Sequence, residues 1–224
     1  MSSQQSSMPS KVLVSDFDGT MTQHDFYKLA IELLMPPETP DYWVEYRAGT
    51  ITHFEALRRY FAAIRATDEE VLAVMRKMNL DNGLSIAAEN LRQAGWQIVV
   101  ASAGCAWYIR RLLDDAGVFV EVHANPGHLQ PGHGLQMEMP KGSPFLSATL
   151  GIDKTAIVQR FLADGATVAF AGDGFPDADP ARLVPAHLRF ARGDLANVLE
   201  AEGLTFHTFD AWSDIAQVLL QRSS

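Results

Sequence analysis

Five short apolar runs recur along the chain: 11–15 (KVLVS), 96–101 (WQIVVA), 118–122 (VFVEV), 167–171 (TVAFA) and 188–191 (LRFA). They are near-continuous rather than alternating, the pattern of strands buried on both faces. Between most of them apolar positions recur three and four residues apart, as expected of amphipathic helices. Over 106–116 that stripe is Ile109, Leu112 and Leu113; over 154–163 it is Ile157, Val158, Phe161 and Leu162. Segments 194–202 and 212–220 follow the same rule. Strand–helix alternation predicts an α/β fold with a Rossmann-like parallel-sheet core.

Two stretches break the alternation. From residue 22 to about 90 there is no strand pattern, only helical segments over 24–35, 39–47, 52–66, 68–78 and 84–94. Thr67-Asp68-Glu69-Glu70 reads as a helix start with acids in its first turn. The segment 84–94 reads as the return to the core. The expected layout is therefore a core over 11–21 and 85–224 with an all-helical insertion over 22–84. The second stretch, 124–152, holds Asn125-Pro126-Gly127, Pro131-Gly132 and Gly142-Ser143-Pro144 and is expected to form a hairpin flap and loop within the core. Residues 1–10 are polar and read as a disordered tail.

Composition narrows the function. At 224 residues, 47% apolar and 20% charged, the chain is long enough to bury its own core, which excludes a disordered, coiled-coil or collagen-like protein. A net charge of −9 argues against a nucleic-acid partner, because an acidic surface repels phosphate backbones. The single cysteine, Cys105, allows no intrachain disulfide, and it reads as a small buried residue. No apolar run reaches the ~18–20 residues of a membrane span. The start MSSQQSSMPS lacks the charged and apolar regions of a secretory signal, so a cytoplasmic location is expected.

The candidate chemistry sits where strands end. Asp16-Phe17-Asp18-Gly19-Thr20 follows the first strand, Ser102-Ala103-Gly104 the second and Gly172-Asp173-Gly174-Phe175-Pro176-Asp177 the run 167–171. In a parallel sheet these are carboxyl ends on one edge, where open α/β folds bind ligands. Asp16, Asp18, Asp173 and Asp177 would converge there, and close like charges repel by several kcal/mol unless a cation lies among them. All-oxygen ligation with few protein ligands favours Mg2+. Ser102 and the amides of Ala103 and Gly104 precede a helix and form an anion site; Lys154, opening another helix, would balance the acids. Together these parts describe phosphoryl transfer to or from a small soluble substrate.

This arrangement resembles the haloacid dehalogenase superfamily, whose four motifs are matched in order by Asp16-x-Asp18-x-Thr20, Ser102, Lys154 and Gly172-Asp173…Asp177. The helical insertion after the first motif is similar to the C1-cap subfamily that includes phosphoserine phosphatases. Asp16-Phe17-Asp18-Gly19-Thr20-Met21-Thr22, the following Asp25 and Phe190-Ala191-Arg192 bring it nearer the methionine-salvage branch, the 2-hydroxy-3-keto-5-methylthiopentenyl-1-phosphate phosphatases. The resemblance implies a phosphatase acting on a small phosphomonoester. Asp16 would be the nucleophile that becomes an aspartyl-phosphate, and Asp18 the general acid and then base. Asp16, the Asp18 carbonyl and Asp173 would hold Mg2+, with Asp177 supporting that shell. Thr20, Ser102, Ala103, Gly104 and Lys154 would hold the phosphoryl group, and Asp25 would contact substrate, its bland alternative being a helix-start acid.

The phosphoserine enzymes carry a cap arginine seven residues after the Phe of a Phe-Glu pair. Counting from Phe54-Glu55 reaches Phe61 here, so the cap is expected to be apolar at that point. Arg58 and Arg59 read as a solvated helix face or, alternatively, as contacts to a substrate acid. Asn125 is a candidate site contact. The alternatives are an amino-acid phosphatase of the phosphoserine type, a phosphomutase and, in another class, a non-catalytic phospho-accepting module. Asp18 separates the last, because a module that only holds phosphate needs no general acid.

Overall fold

Lys11–Ser15 forms β1, the middle strand of a five-stranded parallel sheet. The structure is a computed structural model that describes residues 10–221, so the expected tail lies, Ser10 apart, outside the described residues. After β1 come α1 (Phe26–Leu33), α2 (Tyr42–Arg47), α3 (His53–Ala62), α4 (Asp68–Arg76) and α5 (Leu84–Gln93). The chain then forms β2 (Trp96–Cys105), α6 (Ala106–Asp115), β3 (Glu121–Asn125) and the hairpin β4 (Gly127–Gln130) and β5 (Gly134–Met137). There follow the short pair β6 (Leu146–Ser147) and β7 (Gly151–Ile152), then α7 (Lys154–Ala163), β8 (Thr167–Gly172), α8 (Ala178–Leu183), β9 (Arg189–Ala191), α9 (Gly193–Ala201) and α10 (Trp212–Gln221).

The strand order is β3-β2-β1-β8-β9. The chain leaves β1 to build one side of the sheet and crosses back to build the other, so β1 lies at the topological switch point. Ser15 is level with Val100 of β2 and Ala171 of β8. The segments after β1 and β8, and the last residues of β2 beyond Val100, therefore emerge at one edge. Strand alternation splits the core into two layers. Leu13 and Val100 face Leu84, Leu91, Ile109, Trp212 and Ile215 of α5, α6 and α10. Val12, Val14, Val168 and Phe170 face Ile157, Val158, Ala181 and Leu195 of α7, α8 and α9.

The inserted helices α1 to α4 have no separate core. Phe26, Phe54, Phe61, Met75 and Met78 belong to the same apolar cluster as Phe17, Met21 and Tyr108 beneath them. α4 starts where the acids indicate: Thr67 and Glu70 form a reciprocal cap, each side chain bonding the other's backbone amide. The β4–β5 hairpin lies across α3, with Gly134 close to the Phe61 carbonyl.

The sheet differs from the sequence expectation at two strands: β2 runs on past Ala101 through Ser102-Ala103-Gly104 to Cys105, its register on β3 shifting between Ala101 and Cys105, and 118–122 is displaced to Glu121–Asn125. Gly117, at φ +68, ends α6 in the left-handed region, and the Val118 amide bonds back to the Leu113 carbonyl. The chain is therefore still turning at 118, and Phe119 is 84% exposed rather than buried in a strand.

Trp212 of α10 ties this frame to the site. Its Nε1 donates to Ser15 Oγ at 3.0 Å, and that hydroxyl donates to the Asp16 carbonyl at 2.7 Å. Ser15→Ala leaves the buried indole nitrogen unpaired. The expected cost is about 1–3 kcal/mol, read as a lower urea midpoint at unchanged slope.

Candidate active site

Asp16 leaves β1 with its carboxylate already engaged: Oδ1 accepts the Phe17 amide at 2.7 Å and Oδ2 meets Lys154 Nζ at 2.8 Å. Lys154 enters from the first turn of α7, whose start is capped by Asp153 accepting the Ala156 amide. The buried ammonium also reaches Asp177 Oδ1 at 2.6 Å. The second oxygen of Asp177 accepts the amides of Asp173 and Gly174 at 3.1 and 3.0 Å. Asp177 thus spends both oxygens on holding the β8 loop and Lys154. The Asp173 carboxylate accepts one hydrogen bond among the described residues, from Thr20 Oγ1 at 2.8 Å. The Thr20 hydroxyl, expected on the phosphoryl group, is spent on this acid instead.

Asp18 points the other way, toward the inserted helices. The Phe26 amide donates to Oδ1 at 2.9 Å and the Tyr108 phenol to Oδ2 at 2.7 Å. Two glycines make this packing possible. Gly19 sits at φ +67, and a Cβ there would fall 2.2 Å from Asp173 Oδ2. A Cβ at Gly104 would fall 2.0 Å from the Tyr108 hydroxyl and 2.8 Å from Asp18 Oδ2. The loop 16–22 is braced from outside by Arg192, which donates to the carbonyls of Gly19 (2.6 Å) and Thr22 (2.6 Å).

The electrostatics follow from five acids around one buried lysine. Burial pushes Asp16 well above the usual carboxylate range; Lys154 pulls it back, while Asp177 and Asp173 push it further. Asp18 is pushed up to about 7 by burial and the charge of Asp25, against the Phe26 and Tyr108 hydrogen bonds. Asp173 is also pushed up to about 7, by burial and then by Asp177 and Asp25. Lys154 is driven up by Asp16 and Asp177 despite its burial, so it stays an ammonium. A cation among the acids would act in the same direction as Lys154. Oxygens of Asp16, Asp173 and Asp177 lie within 4.8 Å of one another, and no other such cluster occurs among the described residues. An all-carboxylate set with surplus negative charge fits a hard metal ion. Asp16 and Asp173 suit direct ligation better than Asp177, whose lone pairs are committed.

One cavity of about 490 Å3 gathers most of the expected residues: Asp16, Asp18, Asp25, Ser102, Ala103, Gly104, Lys154 and Asp173 all line it. Thr20 and Asp177 stand behind its wall. The Gly104 amide, expected to be free, donates to Ser102 Oγ at 3.0 Å. Asp25 is not alone: Lys28 pairs with it one helical turn on. Arg58 and Arg59 bond Glu55 and, for Arg59, Glu45, and neither lines the cavity. Phe61 does line it and is buried. Asn125 is behind the site, donating to the carbonyls of Ala103 (2.7 Å) and Leu150 (3.1 Å), and so positions the Ser102 loop. Burial raises the Cys105 thiol to about 12, consistent with an inert packing residue.

Sequence reasoning missed Tyr108 and the aromatic roof of Tyr27, Trp43, Tyr46 and His53. Tyr108 carried a clue, since it lies in the first turn of the helix that follows the Ser102 loop and so stays near the site edge. The roof carried none.

The sequence model of the haloacid dehalogenase-like hydrolase family matches residues 13–182, and the chain belongs to that family. Among curated relatives, a 2-hydroxy-3-keto-5-methylthiopentenyl-1-phosphate phosphatase of Microcystis aeruginosa is 26% identical over 217 residues, covering 95% of this chain and 99% of its own length. The Exiguobacterium protein of the same name is 23% identical over 212 residues, covering 91% and 94%. Among solved structures, a substrate-bound phosphoserine phosphatase aligns with TM-score 0.64 at 16% identity over 95% of this chain and 98% of that one. Phosphoserine phosphatase from T. onnurineus aligns with TM-score 0.61 at 17% identity over 96% and 97%. The structural likenesses share the fold. Among the described residues no helix is long and apolar enough to cross a membrane.

Lys154→Met keeps the stem's bulk and removes the ammonium. Two buried carboxylates then lose their partner, so unfolding free energy near neutral pH is expected to fall by about 3–5 kcal/mol. Asp16, raised by burial and now without its cation, titrates above its unfolded value. Its penalty therefore applies at high pH and fades as pH drops through the folded pKa. Guanidinium denaturation should accordingly show a smaller deficit at about pH 5 than at about pH 7.

Proposed function

We propose that this chain is a cytoplasmic Mg2+-dependent phosphatase that hydrolyses a small phosphomonoester through an aspartyl-phosphate on Asp16. The observation that carries this reading is the division of labour between two acids two residues apart. Asp16 lies against a buried ammonium, with its carboxylate at the floor of the cavity. Asp18 is held by a phenol and an amide at a pKa of about 7, suited to giving and taking a proton near neutrality. A module that merely accepted phosphate would have no use for the second group.

In the first half-reaction an Asp16 oxygen attacks phosphorus as the ester P–O bond breaks, and Asp18 delivers its proton to the departing oxygen. In the second, Asp18 takes a proton from water as that water attacks phosphorus, freeing phosphate and restoring Asp16. Lys154 and the Ser102 hydroxyl stand where they would meet phosphoryl oxygens, with the Ala103 backbone beside them. Tyr108 fixes the direction in which Asp18 presents its proton. Asp16, the Asp18 carbonyl and Asp173 would hold Mg2+, with Asp177 keeping Asp173 and Lys154 in place. A bound Mg2+ supplies charge neutralisation on the transferring group. A phosphomutase would share the covalent intermediate and use the same acid–base group on a substrate hydroxyl, so release of inorganic phosphate without a diphosphate activator separates the two.

The leaving group is narrowed by what the cavity lacks. An amino-acid phosphate needs a cation for its carboxylate and an acid for its ammonium. Deep in the cavity Phe61 is buried where a cation would be needed, Arg58 and Arg59 are paired elsewhere, and the two cations that do line it, Lys28 and Arg47, lie exposed at its mouth against Asp25 and Asp41. The aromatic roof suits an apolar tail. We infer a substrate of the kind named for the curated relatives, a hydroxy- or keto-bearing phosphate ester with an apolar end.

Asp16→Asn should lower kcat by at least about 10^3-fold while the fold persists, because an amide neither attacks phosphorus nor ligates a cation well. Release of inorganic phosphate and the circular-dichroism spectrum check both halves. Chelation should abolish turnover and Mg2+ restore it, while Ca2+, with looser coordination, should inhibit. Across a metabolite panel, kcat/KM for L-phosphoserine should fall at least about tenfold below that of an uncharged phosphate ester with an apolar tail, since a carboxylate would be buried without a partner.

A further inference from the structure

The inserted helices bring one imidazole to the cavity. His53 opens α3, with its ring 5.2 Å from that of Trp43 and edge-on to Tyr46 at 5.7 Å. All three line the cavity, with Leu57 and Phe61 beside them. Two polar atoms of this stack, His53 Nδ1 and Trp43 Nε1, are buried without a hydrogen-bond partner. Only two other side-chain atoms share that condition among the described residues, Trp96 Nε1 and Asn125 Oδ1. Buried nitrogens are rarely left without a partner, so two orphans in ring contact at a cavity wall suggest a partner that arrives from outside.

The chemistry of that partner can be bounded. Burial, with the charge of Lys154 behind it, pushes His53 down to about 4. The ring is therefore neutral and offers one donor and one acceptor. A neutral imidazole among Trp43, Leu57 and Phe61 cannot compensate a buried carboxylate or ammonium, but it matches an uncharged oxygen flanked by hydrocarbon. We propose that His53 is the specificity-determining residue of the cap, hydrogen-bonding a hydroxyl or carbonyl oxygen of the leaving group while Trp43, Leu57 and Phe61 pack against its apolar remainder. This rests on the phosphatase reading above and assigns the leaving-group half of the same cavity.

The test uses a matched series: n-butyl phosphate, 2-hydroxybutyl phosphate and 2-oxobutyl phosphate, which differ only in one oxygen. Wild-type enzyme with Mg2+ should favour the oxygenated esters over butyl phosphate by about 10- to 100-fold in kcat/KM. His53→Phe should lose at least about tenfold more on the oxygenated esters than on butyl phosphate. The loss should fall mainly in KM, because the contact exists before the transition state. His53→Asn and His53→Gln, which each restore a polar nitrogen near one ring position, should recover part of the preference in at least one variant. Their partial recovery also decides the matter if the phenylalanine variant does not fold. Equal losses on all three esters, or a preference unchanged in every variant, would overturn the assignment of His53 while leaving the phosphatase standing. Absence of any phosphate release by the wild-type enzyme would overturn both.

Discussion

A lysine ammonium buried between two carboxylates is the contact on which the rest of this structure depends. Lys154 has given up its water, and only Asp16 and Asp177 make that tolerable. Each acid then constrains something else. Asp177 holds the loop after β8 through two amides, which places Asp173; Asp173 receives Thr20, which shapes the loop after β1 that carries Asp16 and Asp18. The circuit closes on itself across three strand ends. The same lysine makes Asp16 a controlled anion rather than one more member of a crowd of acids.

Asp16 and Asp18 illustrate how a two-residue spacing yields two chemistries. One carboxylate turns down toward a cation, the other up toward a phenol and a helix-start amide. Burial acts on both, but only Asp16 has an ammonium in contact to oppose it. Directly after them the chain turns at Gly19, where a Cβ would collide with Asp173.

Much of this was legible in the sequence because strand ends are. An apolar run that gives way to Asp16, Ser102 or Asp173 tells which edge of the sheet those polar residues reach, although β2 itself continues to Cys105. The acidic and basic site residues followed from that reading, and the inserted helices followed from the missing strand pattern. What escaped depends on contacts between segments far apart in the chain. β3 was misplaced because Phe119 looks like a strand residue when it is in fact exposed past a glycine turn. Tyr108 sat on a helical stripe that reads equally well as packing. Trp43 against His53 becomes visible only once α2 and α3 are set down together, whereas Lys28 beside Asp25, one helical turn on, is a local pair that the sequence reading passed over. Helix periodicity says which face is apolar but not what that face will cover.

The absence of a boundary between the apolar interior of the inserted helices and that of the sheet layer has a consequence for how the protein opens. Phe17, Phe26, Phe61 and Tyr108 are one contiguous group, and the β4–β5 hairpin, laid against α3, adds Leu135 and Met137 to it. A wholesale swing of the helices would have to wet that group and strip the hairpin at the same time. Lys28, Arg47 and the two-thirds-exposed Phe175, which also line the cavity, lie outside that group. The roof is mortised into the house: exchanging it for another family member's would mean replacing the floor joists as well.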